Sequence, residues 1–262
     1  MRGRILGGTT KIAAAVTVCC AALTLGVSSA GAAEVIYSNI SSPLAGNVPS
    51  LGFEATSTSE FGGQVQFAGS ARRGVGLAVG MSSWSCGSGS WQSGCVTTGG
   101  AKYTWPITLK VYEVGPANTV GSLVYESTQT FTIPDRPSEN KRKCTGENAG
   151  GWYDGVEGKC YAGKLFKIHF QLGNAQLPSR AIVSVAYNTT DWGYAPTHVA
   201  GPEESLNVGV TGTPTVGSDP LPADAYAYSN DPEMYSGLGT LDTFSLAGEW
   251  EGYQPEFEVT AH

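Results

Sequence analysis

Apolar residues alternate with polar or small ones at a period of two along most of the chain, the pattern of strands that bury one face. Val65 and Phe67 oppose Gln64 and Gln66, and Val75, Leu77, Val79 and Met81 oppose Gly76, Ala78 and Gly80. Trp105, Ile107, Leu109 and Val111 alternate with Thr108, Lys110 and Tyr112. Leu123, Tyr125, Phe131 and Ile133 share a face with Ser127 and Gln129, opposite Glu126, Thr128, Thr130 and Thr132. The same period continues in Phe166, Ile168, Phe170 and Leu172, in Val183, Val185 and Tyr187, in Leu206, Val208 and Val210, and in Phe257 and Val259. No segment carries a helical period.

One apolar face per strand is what an antiparallel sheet presents when its other face meets water. Eight or more such strands need two sheets packed face to face, because a single sheet leaves its apolar side wet. The pattern therefore predicts an all-β, two-sheet antiparallel β-sandwich of jelly-roll-like type. Asn47-Val48-Pro49, Ile133-Pro134-Asp135-Arg136-Pro137 and Leu177-Pro178-Ser179 punctuate it as turns. Thr211 to Leu241 is the least strand-like stretch and reads as a long ordered loop.

The first 33 residues read differently. Arg2, Arg4 and Lys11 precede an apolar run from Ile12 to Val27, and Ala30-Gly31-Ala32-Ala33 closes it with small residues. This is the pattern of an export signal cut after Ala32 or Ala33. Thr17, Thr24 and Gly26 interrupt the run, which argues against a spanning helix of ~20 apolar residues. The expected organisation is a signal peptide over 1–33 and a single sandwich domain over 34–262. No membrane insertion is expected after cleavage, so the predicted location is secreted or on the extracellular surface.

Loss of Arg2, Arg4 and Lys11 from 15 basic residues leaves 12 against 22 acidic ones, a net charge of −10. Such a chain repels phosphate backbones, so nucleic acid is not an expected partner.

Cys86, Cys95, Cys144 and Cys160 follow the signal, and an even number outside the cytoplasm argues for two disulfides. Three connectivities exist. Local pairing, Cys86 with Cys95 and Cys144 with Cys160, is the simplest, and each closure is worth roughly 3 kcal/mol on a chain-entropy argument. A zinc site is not expected, because no Cys-x-x-Cys pair exists and only His169, His198 and His262 remain to assist. Asp219, Asp224, Asp231 and Glu233 share the irregular stretch and give a calcium reading without matching an EF-hand spacing. The residues call for no metal and no cofactor.

Several segments resemble a widespread family of uncharacterised exported proteins of high-GC Gram-positive bacteria. The resemblance lies in residues 49–62 (PSLGFEATSTSEFG), in Met81-Ser82-Ser83-Trp84 with Cys86, in residues 185–190 (VAYNTT) and in Ser205-Leu206-Asn207-Val208. It implies export and a single domain, and brings no activity with it.

Nucleophilic catalysis has little support. Of the histidines, only His198 lies on a loop of the sort that carries function, and a solvated loop histidine is the ordinary reading. Paired carboxylates are the better enzyme argument, since glycosidases need two acids roughly 5–10 Å apart. Glu54 with Glu60, Glu203 with Glu204, and Glu249 with Glu251 are the candidates, against a background of 22 acids.

Aromatic residues beside turn residues are more suggestive, because exposed rings stack on sugars or anchor protein contacts. Trp152 and Tyr153, set among Gly150, Gly151 and Gly155, are expected to be exposed and, with Trp192 and Tyr194, to form a ligand platform. Trp84 and Trp91 flank the first disulfide and are expected to be structural. The reading is a non-catalytic exported protein that binds a carbohydrate or another protein, with a carboxylate-pair glycoside hydrolase as the alternative.

Overall fold

The computed structural model describes residues 32–188, 206–229, 242–248 and 253–262, and Trp192, Tyr194, His198 and the Glu203–Glu204 and Glu249–Glu251 pairs lie outside them. Among the described residues the chain forms β1 (Glu34–Ser38), β2 (Ser50–Gly52), β3 (Thr58–Gln66), β4 (Arg73–Ser83) and β5 (Lys102–Val114). β6 (Val120–Pro134), β7 (Trp152–Asp154), β8 (Lys159–Tyr161), β9 (Lys164–Gln176) and β10 (Arg180–Ala186) follow. β11 (Leu206–Thr211), β12 (Ala225–Ser229), β13 (Ser245–Ala247), β14 (Gln254–Pro255) and β15 (Phe257–Ala261) complete the series. Among the described residues helix is confined to two single 3-10 turns.

The strands form a seven-stranded sheet, a six-stranded sheet and the separate hairpin β7–β8, and every ladder is antiparallel. In the seven-stranded sheet β9 covers β4 along its length, while β15 and then β11 share the other edge of β4. The six-stranded sheet runs β13-β12-β3-β10-β5-β6. Only β5–β6, β7–β8 and β12–β13 pair neighbours in sequence, and β1 pairs with β15. The result is the all-β, antiparallel two-sheet arrangement that the pattern predicts.

Alternation decides what each sheet buries. Leu77, Val79 and Met81 of β4 and Ile168, Phe170 and Leu172 of β9 enter one core with Ile107, Leu109 and Val111 of β5 and Val183 and Val185 of β10. Phe131 of β6 meets Phe170 of β9 edge to face at 4.7 Å, and the Tyr125 hydroxyl donates to the Gln171 carbonyl at 2.6 Å. Both contacts run from one sheet to the other, so the sheets close on each other as a sandwich.

The Thr211–Leu241 stretch is not simply loop, because β12 lies inside it. Ala225 and Ala227 enter the shared core there, while Tyr226 and Tyr228 lie on the opposite face of the sheet, where Tyr226 is fully buried as well.

Both local disulfides form, Cys86–Cys95 and Cys144–Cys160, with Cα atoms 5.5 and 5.7 Å apart. Their loops meet around Arg136, whose side chain is fully buried. Its guanidinium donates to the carbonyls of Trp91 (3.1 Å) in one loop, Gly150 (2.6 Å) in the other, and its neighbour Pro137 (3.2 Å). Burial pulls the Arg136 pKa down to about 10, opposed by the nearby charge of Glu139.

Candidate functional site

Side chains that alternate away from the core cover the outer face of the six-stranded sheet. Strand order brings β3, β10 and β5 side by side, with Ser184 opposite both Gly62 and Lys110, and Ala186 opposite both Glu60 and Thr108. Glu60, Ser184, Lys110 and Tyr112 thereby converge from three strands that are far apart in sequence.

Glu60 is 5 % exposed. A buried carboxylate costs several kcal/mol unless it is paired and hydrogen-bonded, and here it is both. Lys110 Nζ lies 2.7 Å from Oε2, while the hydroxyls of Ser184 and Tyr112 donate to Oε1 at 2.6 and 3.0 Å. Burial, reinforced by the Glu60 charge, drives the Tyr112 pKa well above its ordinary value, so its proton stays in place as a donor. Phe244 stacks on Tyr112 with centroids 5.5 Å apart and covers this side of the cluster. Gly62 makes room for it, since a Cβ there would stand 3.1 Å from the Phe244 ring and 2.7 Å from the Val183 carbonyl.

On the other side the cluster opens into a cavity of about 480 Å³, within the range of small-ligand sites. Trp105 and Pro106 form one wall, and Tyr228 and Asn188 also line it. The Trp105 indole N–H donates to the Asn188 carbonyl at 2.9 Å, which fixes the half-buried ring. Thr108 and Thr128 sit side by side across β5 and β6 with hydroxyls 2.7 Å apart.

The cavity thus offers an aromatic ring, paired hydroxyls, an ammonium and a carboxylate edge. Groups of these kinds can hydrogen-bond a polyol and pack against its C–H faces. Glu60 is the one carboxylate among the described lining residues and already accepts three internal donors. Glu54, its candidate partner from the sequence, is not among the residues that line the cavity. Among the described residues no group of three or more His, Cys, Asp or Glu side chains could hold a metal. Of the calcium candidates, Asp219 is half-buried and accepts the Leu221 N–H at 2.8 Å. Asp231 and Glu233 lie outside the described residues.

The aromatic expectations change at the disulfide loops. Trp152 is not exposed: it is 7 % accessible, its indole N–H donates to the Gly163 carbonyl at 2.7 Å, and its ring lies 5.7 Å from Tyr161. The glycines around it shape the short hairpin β7–β8 rather than a solvated loop. Tyr153 is half-buried, with Lys143 Nζ 5.4 Å from its ring centre. Trp91, expected to be structural, is 39 % exposed, although Trp84 meets its ring edge to face at 4.8 Å.

Sequence reasoning named Glu60 only as a candidate partner of Glu54, and Trp105 and Lys110 only as alternating strand positions. The available signal was a run of outward positions on β5 (Lys102, Thr104, Pro106, Thr108, Lys110) too rich in potential ligand contacts for a plain solvated face. No helix among the described residues is long and apolar enough to cross a membrane. No family model, curated protein or solved structure matches the chain.

Proposed function

We propose that this is an exported, non-catalytic carbohydrate-binding protein whose site is the cavity on the outer face of the six-stranded sheet beside Glu60 and Lys110, with Trp105 reaching its wall from the core-facing side of β5. The observation that carries the reading is the cavity in which a fixed indole borders a buried Glu60–Lys110 pair. Adjacent sugar hydroxyls are satisfied by a donor and an acceptor held side by side, and the ammonium and carboxylate provide that combination. Sugar C–H faces stack on indole. Two disulfides fit an oxidising compartment, as the export signal requires.

A glycan array probed with residues 34–262, followed by a reducing-sugar assay on each hit, tests the proposal. The expected result is retention of a subset of glycans with no release of reducing ends. Release of reducing ends would establish the hydrolase instead, and a blank array would remove carbohydrate as the ligand class.

A further inference from the structure

The Glu60 cavity occupies one end of a longer strip. Outward positions on β5 run Lys102, Thr104, Pro106, Thr108, Lys110, and β6 sets Thr132 opposite Thr104, Thr130 opposite Pro106, and Thr128 opposite Thr108. Thr104, Thr128, Thr130 and Thr132 are exposed. From Lys110 to Lys102 the strip is about 26 Å long at the rise of a β-strand, the length of several sugar rings.

At its Lys102 end the strip meets a second cavity of about 380 Å³, bordered by Lys102, Lys164, Ser138 and the Gly99-Gly100 turn. Neither lysine forms an ion pair with a described carboxylate. Lys164 is held with Nζ 5.6 Å from the centre of the buried Trp152 ring. Asp135 also lines the cavity, but its Oδ1 accepts the Ser85 hydroxyl at 2.7 Å. The Gly99 and Gly100 N–H groups donate to no described acceptor, and a Cβ at either position would meet open space. Gly100 has φ +80, a left-handed conformation that favours glycine, in the turn closed by the Ala101 N–H donating to the Thr98 carbonyl. Two unpaired ammonium groups beside free backbone donors stand out in a chain of net charge −7.

We infer that the strip binds a linear acidic polysaccharide lengthwise, with sugar rings over Pro106 and the threonines and a carboxylate held by Lys102, Lys164 and the Gly99-Gly100 amides. The inference rests on the carbohydrate reading above and adds the charge and direction of the polymer. Contacts between ammonium and carboxylate at a surface weaken with salt, whereas stacking and neutral hydrogen bonds do not.

The test is calorimetric titration of residues 34–262 and of the Lys102→Ala, Lys164→Ala double variant with a galacturonate hexamer and a galactose hexamer. For the unaltered protein at low salt, the acidic hexamer is expected to bind roughly tenfold more tightly than the neutral one. That advantage should shrink with added salt and vanish in the double variant, while the neutral hexamer binds both proteins alike. Equal affinity for the two hexamers, or an acidic preference that survives the double variant, would overturn the inference and leave the carbohydrate reading standing. Failure of both hexamers to bind would count against both readings. Inorganic polyphosphate that binds only through the two lysines, with no galacturonate binding, would overturn the polysaccharide assignment.

Discussion

Replacing Arg136 with methionine should lower the melting temperature by about 10 °C. Methionine keeps much of the side-chain volume but removes the donors to the Trp91, Gly150 and Pro137 carbonyls. A buried acceptor stripped of a charged donor costs about 1–3 kcal/mol, so the three together should cost about 3–5 kcal/mol. In a domain of this size each kcal/mol corresponds to roughly 2–4 °C. The loss should be local as well as global, because Arg136 is where the Cys86–Cys95 and Cys144–Cys160 loops are joined. Hydrogen exchange is expected to quicken in both loops before it does in β4 or β9. A melting temperature unchanged to within 2 °C would show that the disulfides hold the two loops without the arginine.

Glu256 should make stability fall as pH rises from about 4.5 to about 7. Its side chain is fully buried, and neither carboxylate oxygen has a hydrogen-bond partner among the described residues. It sits on the outer face of the seven-stranded sheet over two glycines. A Cβ on Gly80 would lie 2.7 Å from the Glu256 Cβ, and one on Gly209 would lie 3.1 Å from its Oε2. Lys167 faces it from β9 opposite Gly80, and Glu258 and His169 occupy the same face one pair along, on either side of Ala78. Burial raises the Glu256 pKa from 4.5 to about 7, with the Lys167 charge opposing the rise.

Below pH 4.5 the carboxyl is protonated in both the folded and unfolded chain and has no effect on the balance. Between pH 4.5 and about 7 the unfolded chain releases the proton while the folded protein keeps it, so stability declines with pH. Above pH 7 the loss levels off at about 3 kcal/mol. Glu256→Gln should therefore match the unaltered protein at pH 4 and exceed it by about 3 kcal/mol at pH 8 in denaturant titrations. An equal effect at both values would mean that the carboxylate is ionised throughout and finds a partner.

Much of the sandwich is visible in the alternation of apolar residues. β5 and β9 have large apolar side chains on one face and mostly polar ones on the other, so period and burial coincide there, whereas β4 is buried on both faces from Leu77 to Ser83. β12 escapes that reasoning, because the face it turns to the shared core is alanine, the opposite face is tyrosine, and both are buried from Ala225 to Ala227. Trp152 misleads for a related reason. Flanking glycines imply a mobile loop, but they also permit the tight hairpin that buries the ring.

The site is harder still to read. Glu60, Lys110 and Ser184 become neighbours only once β10 is inserted between β3 and β5, and nothing local in any of the three strands encodes that pairing order. Arg136, between Pro134-Asp135 and Pro137, has the local chemistry of an exposed turn. Its burial depends on two disulfide loops that converge from residues far apart in sequence.

The most direct test of carbohydrate binding on this face is the Trp105 indole N–H resonance, followed by two-dimensional nitrogen–proton NMR as the best array glycan is added. Binding at the cavity should shift this signal in a saturable way, because the N–H donates to the Asn188 carbonyl at the cavity wall. The amides of Thr108, Lys110 and Thr128 should move with the same affinity, and those of the Tyr153 hairpin should stay in place. A saturable shift centred on Tyr153 and Tyr161, with the Trp105 indole unmoved, would place the binding surface on the disulfide hairpin and contradict the account.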